Sequence, residues 1–456
     1  MYVLPSEHDM LQFLRQSLQV HQRFLSGSFK RAESPIYVIG NPSADLDSII
    51  SAIVYSYFAN GRAPHDYPRP HIPLINLDNV PVGPELRRLR PEFLKALELS
   101  QLDAGKASVA DKDPLGDLFL TVADFAKQLG QAGGNTRIEA DSILVDWNAL
   151  PIRPSHARPG KGSLPTLPVE FHVLGCIDHH EDERFLAPMA STQPQIVTPA
   201  GSCTSLVVSE LEKMGLWQKV DKVPDEEKIA KLALAPILID TINLTAEPKV
   251  TKHDILARDF LLSKATAANA SWSSDEFFTQ IDEAKQNSLD LLTVEEMLGR
   301  DYKEWDEQPK SHADQPTIRI GICSMVKSLP WIVRKAVGSQ SFLDSLKKFS
   351  SEHELDVVSV MTAFNSADDG NFSRELFVCG LNERGINSMK HFATNSSAEL
   401  GLEEWHSLDG EDRAKDIRDT LDAERDGLWM RTWVQTNLAK SRKQVAPLIR
   451  GAAASL

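Results

Sequence analysis

Apolar positions fall into two textures along the chain. Over residues 1 to 30, Leu11, Leu14, Leu18, Phe24 and Leu25 recur at near-helical spacing and predict an amphipathic helix. The apolar run Pro35 to Gly40 (PIYVIG) reads as a strand, and after the polar segment NPSADLDS the stretch SIISAIVYSYFAN reads as a helix. Residues 61 to 90 are Pro-rich and read as loop outside the core, with at most short strands. Two further strand-like runs follow, Ser142 to Val145 and Val173 to Ile177, joined by the Pro, Gly, Arg and Lys-rich stretch 151 to 168, which reads as an exposed connector. GSCTSLVVSELEKMG and EEKIAKLALAPILIDT then give two helical patterns. Strands alternating with helices predict βαβ units and a mostly parallel sheet.

Beyond about residue 260 the pattern changes to long charged helices, such as Asp275 to Leu298, with strand candidates at Ile318 to Cys323, Val357 to Met361 and Leu376 to Cys379. This is the pattern of a second, smaller α/β domain. The expected division is 1 to 260 and 280 to 456, with the boundary inside 245 to 285. A length of 456 residues agrees with two domains.

Composition narrows the class. Apolar residues make up 42% and charged residues 25%, far from the composition of disordered chains. The longest apolar run, Leu232 to Ile239, contains Pro236 and is much shorter than the roughly 20 residues of a membrane span. No secretory signal is read in the first 20 residues. Cys176, Cys203, Cys323 and Cys379 form no CxxC pair, which argues against zinc ribbons and disulfide frameworks and for a reducing cytoplasm. The net charge of −15 disfavours nucleic acid and anionic membranes as partners. An anionic substrate would need local attraction.

That attraction has candidates at the strand ends. In an open parallel sheet, ligands bind beyond the carboxyl ends of the strands. Asp45 and Asp47 follow the first strand, Asp146 the second and Asp178-His179-His180 the third, while Asp240 ends a helix. One Asp after a strand is commonplace, but three such strand ends in one sheet, four sites with Asp240, point to a metal centre. Asp45 and Asp47, at i and i+2 in a loop, can address two ions, with Asp146 between them. Carboxylates with imidazole suit Mg²⁺, Mn²⁺ or Co²⁺, and paired ions of this kind serve the hydrolysis of phosphate esters and anhydrides.

The motifs GNPSADLDSI, LVDW, GCIDHHEDE and LIDT, in this order, resemble the DHH phosphoesterase superfamily, and SRKQVAPLI at 441 to 449 resembles the signature of its DHHA2 branch. The resemblance spans both domains. It implies that Asp45 binds one metal and Asp47 the other, that Asp146 bridges them, and that His179 and Asp240 complete the second. His180 would face substrate as a phosphate ligand or proton donor, and Asp178 would orient its neighbours. Asn41 stands where the family's pyrophosphatases have a histidine, and is similar to the exopolyphosphatase branch. Asn41 is then expected as a weaker oxygen ligand. The insertion of about 100 residues before Asp146 also departs from a compact pyrophosphatase.

From Arg431 to Arg450 there are five Lys or Arg and no acidic residue, a composition that by itself describes a solvated basic helix face. The resemblance assigns Ser441, Arg442 and Lys443 to phosphate binding, with Arg as a fork and Lys as a point charge, and Lys303 in DYKEW to the same substrate. His253, Lys249 and the RRLR run at 87 to 90 are weaker candidates for a channel. Ser202 or Thr204 in GSCTS reads as a plain helix cap. The expectation is a monomeric hydrolase of terminal phosphoanhydride bonds in inorganic polyphosphate, using a water activated by two divalent metal ions and closure of the second domain. The rivals are a pyrophosphatase, a prune-like phosphodiesterase, and a faded family member that only binds partners.

Overall fold

A computed structural model describes residues 9–60, 69–101, 114–131, 138–153, 159–186, 193–217, 225–267, 271–310, 316–367, 369–409 and 413–456. Residues 1–8 of the expected first helix, 61–68 of the Pro-rich stretch and 154–158 of the connector lie outside these. Contacts divide the chain into two units, Met1–Ser288 and Leu289–Leu456. The division falls just beyond the expected window because Phe277 and Ile281, on the helix Ser274–Gln286, pack into the first unit's core.

Among the described residues, the first unit is built on six strands: β1 (Ile36–Ile39), β2 (His71–Leu74), β3 (Ile138–Val145), β4 (Lys161–Leu164), β5 (Leu167–Asp178) and β6 (Gln195–Val197). Their order is β2-β1-β3-β5-β4, with β6 also on β5, and every pairing is parallel except β4 with β5. Side chains alternate between the faces. Ile36 and Val38 join the core under the helices Leu46–Asn60, Cys203–Lys213 and Glu226–Asp240, while Tyr37 and Ile39 pack on the other side with Phe125 and Phe171. Cover on both faces is what lets IYVI be buried at every position. The helix Leu46–Asn60 is buried almost all round, so its sequence shows no polar stripe.

Two readings of this unit change. The Pro-rich stretch enters the core: all four residues of β2 are buried, and Pro73 is tolerated because β2 is the sheet's edge, where one missing N–H is harmless. The connector contributes β4, whose Gly162, Ser163 and Leu164 are buried against β5.

The second unit holds β7 (Tyr302–Glu307), β8 (Ile318–Met325), β9 (Val357–Thr362), the small pair β10 (Phe364–Asn365) and β11 (Phe372–Ser373), β12 (Glu375–Gly380), β13 (Leu402–Glu404), β14 (Glu424–Arg425) and β15 (Leu428–Gln435). The main sheet runs β13-β15-β12-β9-β8-β7, and β8 with β9 is its parallel pairing. The helices Glu383–Leu400 and Arg442–Ala454 pack together. The expected long helix from Asp275 to Leu298 is broken after Gln286, and restarts at Val294 under a capping box of Thr293 and Glu296. The basic run is part strand and part helix, since Arg431 lies in β15. Among the described residues, no helix is long and apolar enough to cross a membrane.

Candidate metal centre

The parallel register puts the ends of β1, β3 and β5 side by side. Ile39 pairs with Leu144, and Val145 with Ile177, so the residues that follow each strand emerge together. Gly40 lets the first of these turns form, because a Cβ there would meet Ser48 Cβ at 2.7 Å. The chain then reaches Asn41, turns, and enters the helix Leu46–Asn60 with Asp45 as cap: Ser48 N–H donates to Asp45 Oδ1 at 3.0 Å. Asp47 lies in the first helical turn rather than in the loop.

Asp146 follows β3 with a φ of 55°, a left-handed backbone that Asp tolerates better than most residues and that recurs at functional positions. Its N–H donates to Ile177 O at 2.9 Å. Its Oδ2 accepts from Ser48 Oγ and from Asn41 Nδ2, each at 2.7 Å. The orientation of the Asn41 amide is set by its neighbours, since Asp146 O and Oδ2 only accept and Ser43 N–H only donates, to Asn41 Oδ1 at 2.9 Å. Asn41 therefore presents its nitrogen to Asp146 and its oxygen to the turn, which differs from the oxygen ligand expected from sequence.

His179 Nδ1 lies 2.9 Å from Ala200 O. A carbonyl oxygen only accepts, so Nδ1 carries the proton. In a neutral ring, Nε2 then turns its lone pair to Asp146 Oδ1, 3.1 Å away. Two lone pairs at that distance repel unless a proton or a cation lies between them. The backbone hydrogen bond that fixes the other nitrogen is the usual support of a metal-binding imidazole. The ligand atoms of Asp146, His179 and His180 lie within 4.8 Å of one another, and Asp47 Oδ2 is 4.0 Å from His179 Nε2. A mixed carboxylate and imidazole set fits a divalent cation of hard to intermediate character.

The helix Cys203–Lys213 points its start at Asp47. Ser202 Oγ, Thr204 N–H and Thr204 Oγ1 donate to Asp47 Oδ1 at 2.8, 2.9 and 2.7 Å, and Cys203 N–H donates to Oδ2 at 2.6 Å. GSCTS thus faces an anion, but the anion is the chain's own carboxylate. Burial, then Asp146 and Asp240, push the Asp47 carboxyl up to about 7 against the opposing pull of His179. Asp45 acts in the same direction. These like charges mark a place that lacks positive charge.

Asp178 is fully buried. It accepts from Asn148 Nδ2, from His179 N–H at 2.8 Å and from His180 Nδ1 at 2.7 Å. Burial works against its charge, but the His180 contact, His179 and Asn148 together hold its carboxyl well below the usual range. Asp240 ends the helix Glu226–Asp240 and enters the site through its charge on Asp47, with its carbonyl taken by Lys249 Nζ at 2.8 Å.

Three residues escaped the sequence reading. Ser48 and Asn148 hold Asp146 and Asp178, and Asp254 holds the GSCTS loop through Gly201 N–H, Ser202 N–H and Ser205 Oγ. The capping box of Thr251 and Asp254 was visible in TKHD, but its second use was not.

The expected phosphate binders belong to the second unit. Ser441 caps the helix Arg442–Ala454 and exchanges hydrogen bonds with Gln444, from its N–H at 3.0 Å and its Oγ at 3.1 Å. Arg442 donates to Asp301 O at 2.9 Å and pairs with Asp301 Oδ1 at 2.7 Å. Lys443 lies in the first turn of that helix, and Lys303 lies on β7 opposite Ile322.

Comparison with known proteins adds the family. Residues 35–237 match the DHH family N-terminal domain, and residues 279–452 match the DHHA2 domain. A Schizosaccharomyces pombe protein named "Putative exopolyphosphatase" is 30% identical over 437 residues, 94% of each chain. The fold is similar to a crystal structure titled as a Methanococcus jannaschii putative family II inorganic pyrophosphatase, with a TM-score of 0.51 at 18% identity over 91% of this chain and 98% of that one. With a relative of that identity along nearly the whole length, and both domain models matched in turn, the chain belongs to the DHH family and carries a DHHA2 domain.

Proposed function

We propose that this chain hydrolyses phosphoanhydride bonds and removes terminal phosphates from inorganic polyphosphate as orthophosphate. The observation that carries the reading is the approach of His179 Nε2 to Asp146 Oδ1 at 3.1 Å, beside a carboxylate already burdened by its neighbours. The identity with the Schizosaccharomyces pombe relative supports the substrate class.

Asp45, Asp47, Asp146, His179 and Asp240 would hold two divalent cations, Mg²⁺ first and Mn²⁺ or Co²⁺ as substitutes. When bound, such a pair lowers the pKa of water and neutralises phosphoryl oxygens. Asn41 and Ser48 keep Asp146 in place by donating to Oδ2, so its Oδ1 is turned to His179 and His180. Asp178 fixes His180 through Nδ1, so the ring meets a substrate oxygen through Nε2. Arg442, Lys443, Ser441 and Lys303 supply the cationic and hydroxyl groups for the polyphosphate chain. The four cysteines are buried and free, which suits action in a reducing cytoplasm.

Orthophosphate release from long-chain polyphosphate, tripolyphosphate, pyrophosphate and a cyclic nucleotide, each with Mg²⁺ or Mn²⁺, tests the proposal. Polyphosphate is expected to be the best substrate. A preference for pyrophosphate or for the cyclic nucleotide would overturn the substrate assignment.

A further inference from the structure

The geometry points to a positioning residue outside the family motifs: we propose that Arg90 clamps the turn that presents Asp45 and Asp47. This rests on the metal-site reading above. Arg90 belongs to the RRLR run that sequence offers as a weak candidate for a channel lining, yet it is 2% exposed. Its Nε donates to Ala44 O at 2.7 Å, its Nη2 donates to Ser43 O, and its Nη1 donates to Leu89 O at 3.1 Å. Ser43 and Ala44 immediately precede Asp45, so two prongs of one guanidinium hold the backbone that leads into the first carboxylate.

The turn needs a clamp. Ala44 has a φ of 44°, in the left-handed region that a residue with a Cβ adopts only when its surroundings enforce it. Within the turn, Ala44 N–H donates to Asn41 O at 3.0 Å, and Ser43 N–H donates to the Asn41 side chain. These local bonds leave the carbonyls of Ser43 and Ala44 to be met from elsewhere, and Arg90 meets both. Lysine has the charge but lacks the fork.

Arg90 is itself held rigidly. It joins the helices Pro84–Leu89 and Pro91–Leu99, each with proline in its first turn. A residue before proline is kept out of the helical region, and Arg90 has φ −129° and ψ 58°. Leu86 and Phe93, both 0% exposed, anchor the two helices in the core. The stretch inserted before Asp146 therefore does more than extend the surface: it reaches back to the first motif and fixes its shape.

The test compares full-length wild type, Arg90→Lys, Arg90→Lys with Ala44→Gly, and Ala44→Val by Mn²⁺ calorimetry and by hydrogen exchange without metal. Arg90→Lys is expected to weaken Mn²⁺ binding at least tenfold and to speed amide exchange across residues 41–48. Ala44→Gly, which admits the left-handed turn without strain, should restore most of that affinity in the Arg90→Lys background. Ala44→Val keeps Arg90 but raises the strain, and should mimic its loss; it decides the matter should Arg90→Lys fail to fold. A folded Arg90→Lys with unchanged Mn²⁺ affinity and unchanged exchange overturns the clamp, as does a loss that Ala44→Gly does not reverse. A wild-type chain that binds no Mn²⁺ sinks the metal reading instead, while the exchange comparison still decides the clamp.

Discussion

In the first unit Asp47, Asp146 and Asp178 are each no more than 2% exposed and gather beyond the ends of neighbouring strands, whereas in the second unit Glu375, 1% exposed, sits among neutral donors. Glu375 takes Leu329 N–H at 2.7 Å, Thr362 Oγ1 at 3.1 Å and Trp405 Nε1 at 2.9 Å, and burial pushes its carboxyl up to about 7. Asp47 reaches the same value, but after burial the causes are Asp146 and Asp240. Burial leads at both residues, but at Asp47 several acids add to it, whereas at Glu375 neutral donors oppose it and Asp409 adds least. A buried acid held by neutral donors is relieved by a proton, and its role is structural. A cluster of acids around imidazoles with fixed tautomers would be relieved by the proposed metal ions, and the geometry that keeps the acids together against their repulsion fits that proposal.

The largest effect should come from removing the residue most central to the cluster. Asp146→Asn is expected to lower kcat at least 100-fold, about 2.7 kcal/mol or more in the barrier, and to raise the Tm of the metal-free protein by easing repulsion from Asp47. Steady-state kinetics and a melting curve in chelator check both. More than about a tenth of the activity remaining, a change under ~1.4 kcal/mol, would remove Asp146 from the centre of the account.

Next comes the second unit's contribution. Arg442→Ala is expected to lower kcat/KM for polyphosphate by about 2 to 4 kcal/mol, the effect of losing a charged fork from a developing anion. Because Arg442 also pairs with Asp301, Asp301→Asn serves as control and should lower kcat/KM far less. Equal losses would mean that the pair only supports the helix Arg442–Ala454.

The Glu375 side of the comparison predicts a pH effect of comparable size on stability rather than activity. The ordinary value of 4.5 rises to about 7 in the folded chain, so between these values the folded state holds a proton that the unfolded state has released. The folded state is favoured in full below pH 4.5, and the advantage is lost as pH rises to 7, by roughly 3 kcal/mol. Glu375→Gln should flatten the second unit's stability across that window in denaturant titrations at pH 5 and 7.5. A slope that survives the substitution would show that other groups set it.

The smallest effect concerns the departure at the first motif. Asn41→His replaces an amide that donates to Asp146 with an imidazole, which suits later transition metals. Mn²⁺ or Co²⁺ should gain a few-fold over Mg²⁺ in competition titrations, and pyrophosphate should gain relative to polyphosphate. Unchanged ratios would confine Asn41 to holding Asp146.

Much of this site was legible because β1, β3 and β5 are apolar runs that each stop at an acidic or histidine-bearing motif, and parallel sheets gather such ends. What supports the site was not. Asp47 is held by the N–H groups of Cys203 and Thr204, and backbone donors have no residue type to read. Arg90 meets carbonyls 46 and 47 residues away, a pairing no local pattern encodes. In the fold, β2 was hidden by Pro73, which an edge strand can hold, and by the Pro-rich stretch before it, and the break between Gln286 and Val294 was hidden by charged residues that suit a helix on both sides.

The central claim, that the first unit's cluster is built for two divalent cations, is tested most directly by calorimetric titration of the metal-free chain with Mn²⁺. Two Mn²⁺ per chain are expected in the wild type and no more than one in Asp146→Asn, with proton release on binding as the Asp47 carboxyl, pushed up to about 7, gives up its proton. Binding that is absent, or identical in the two proteins, would contradict it.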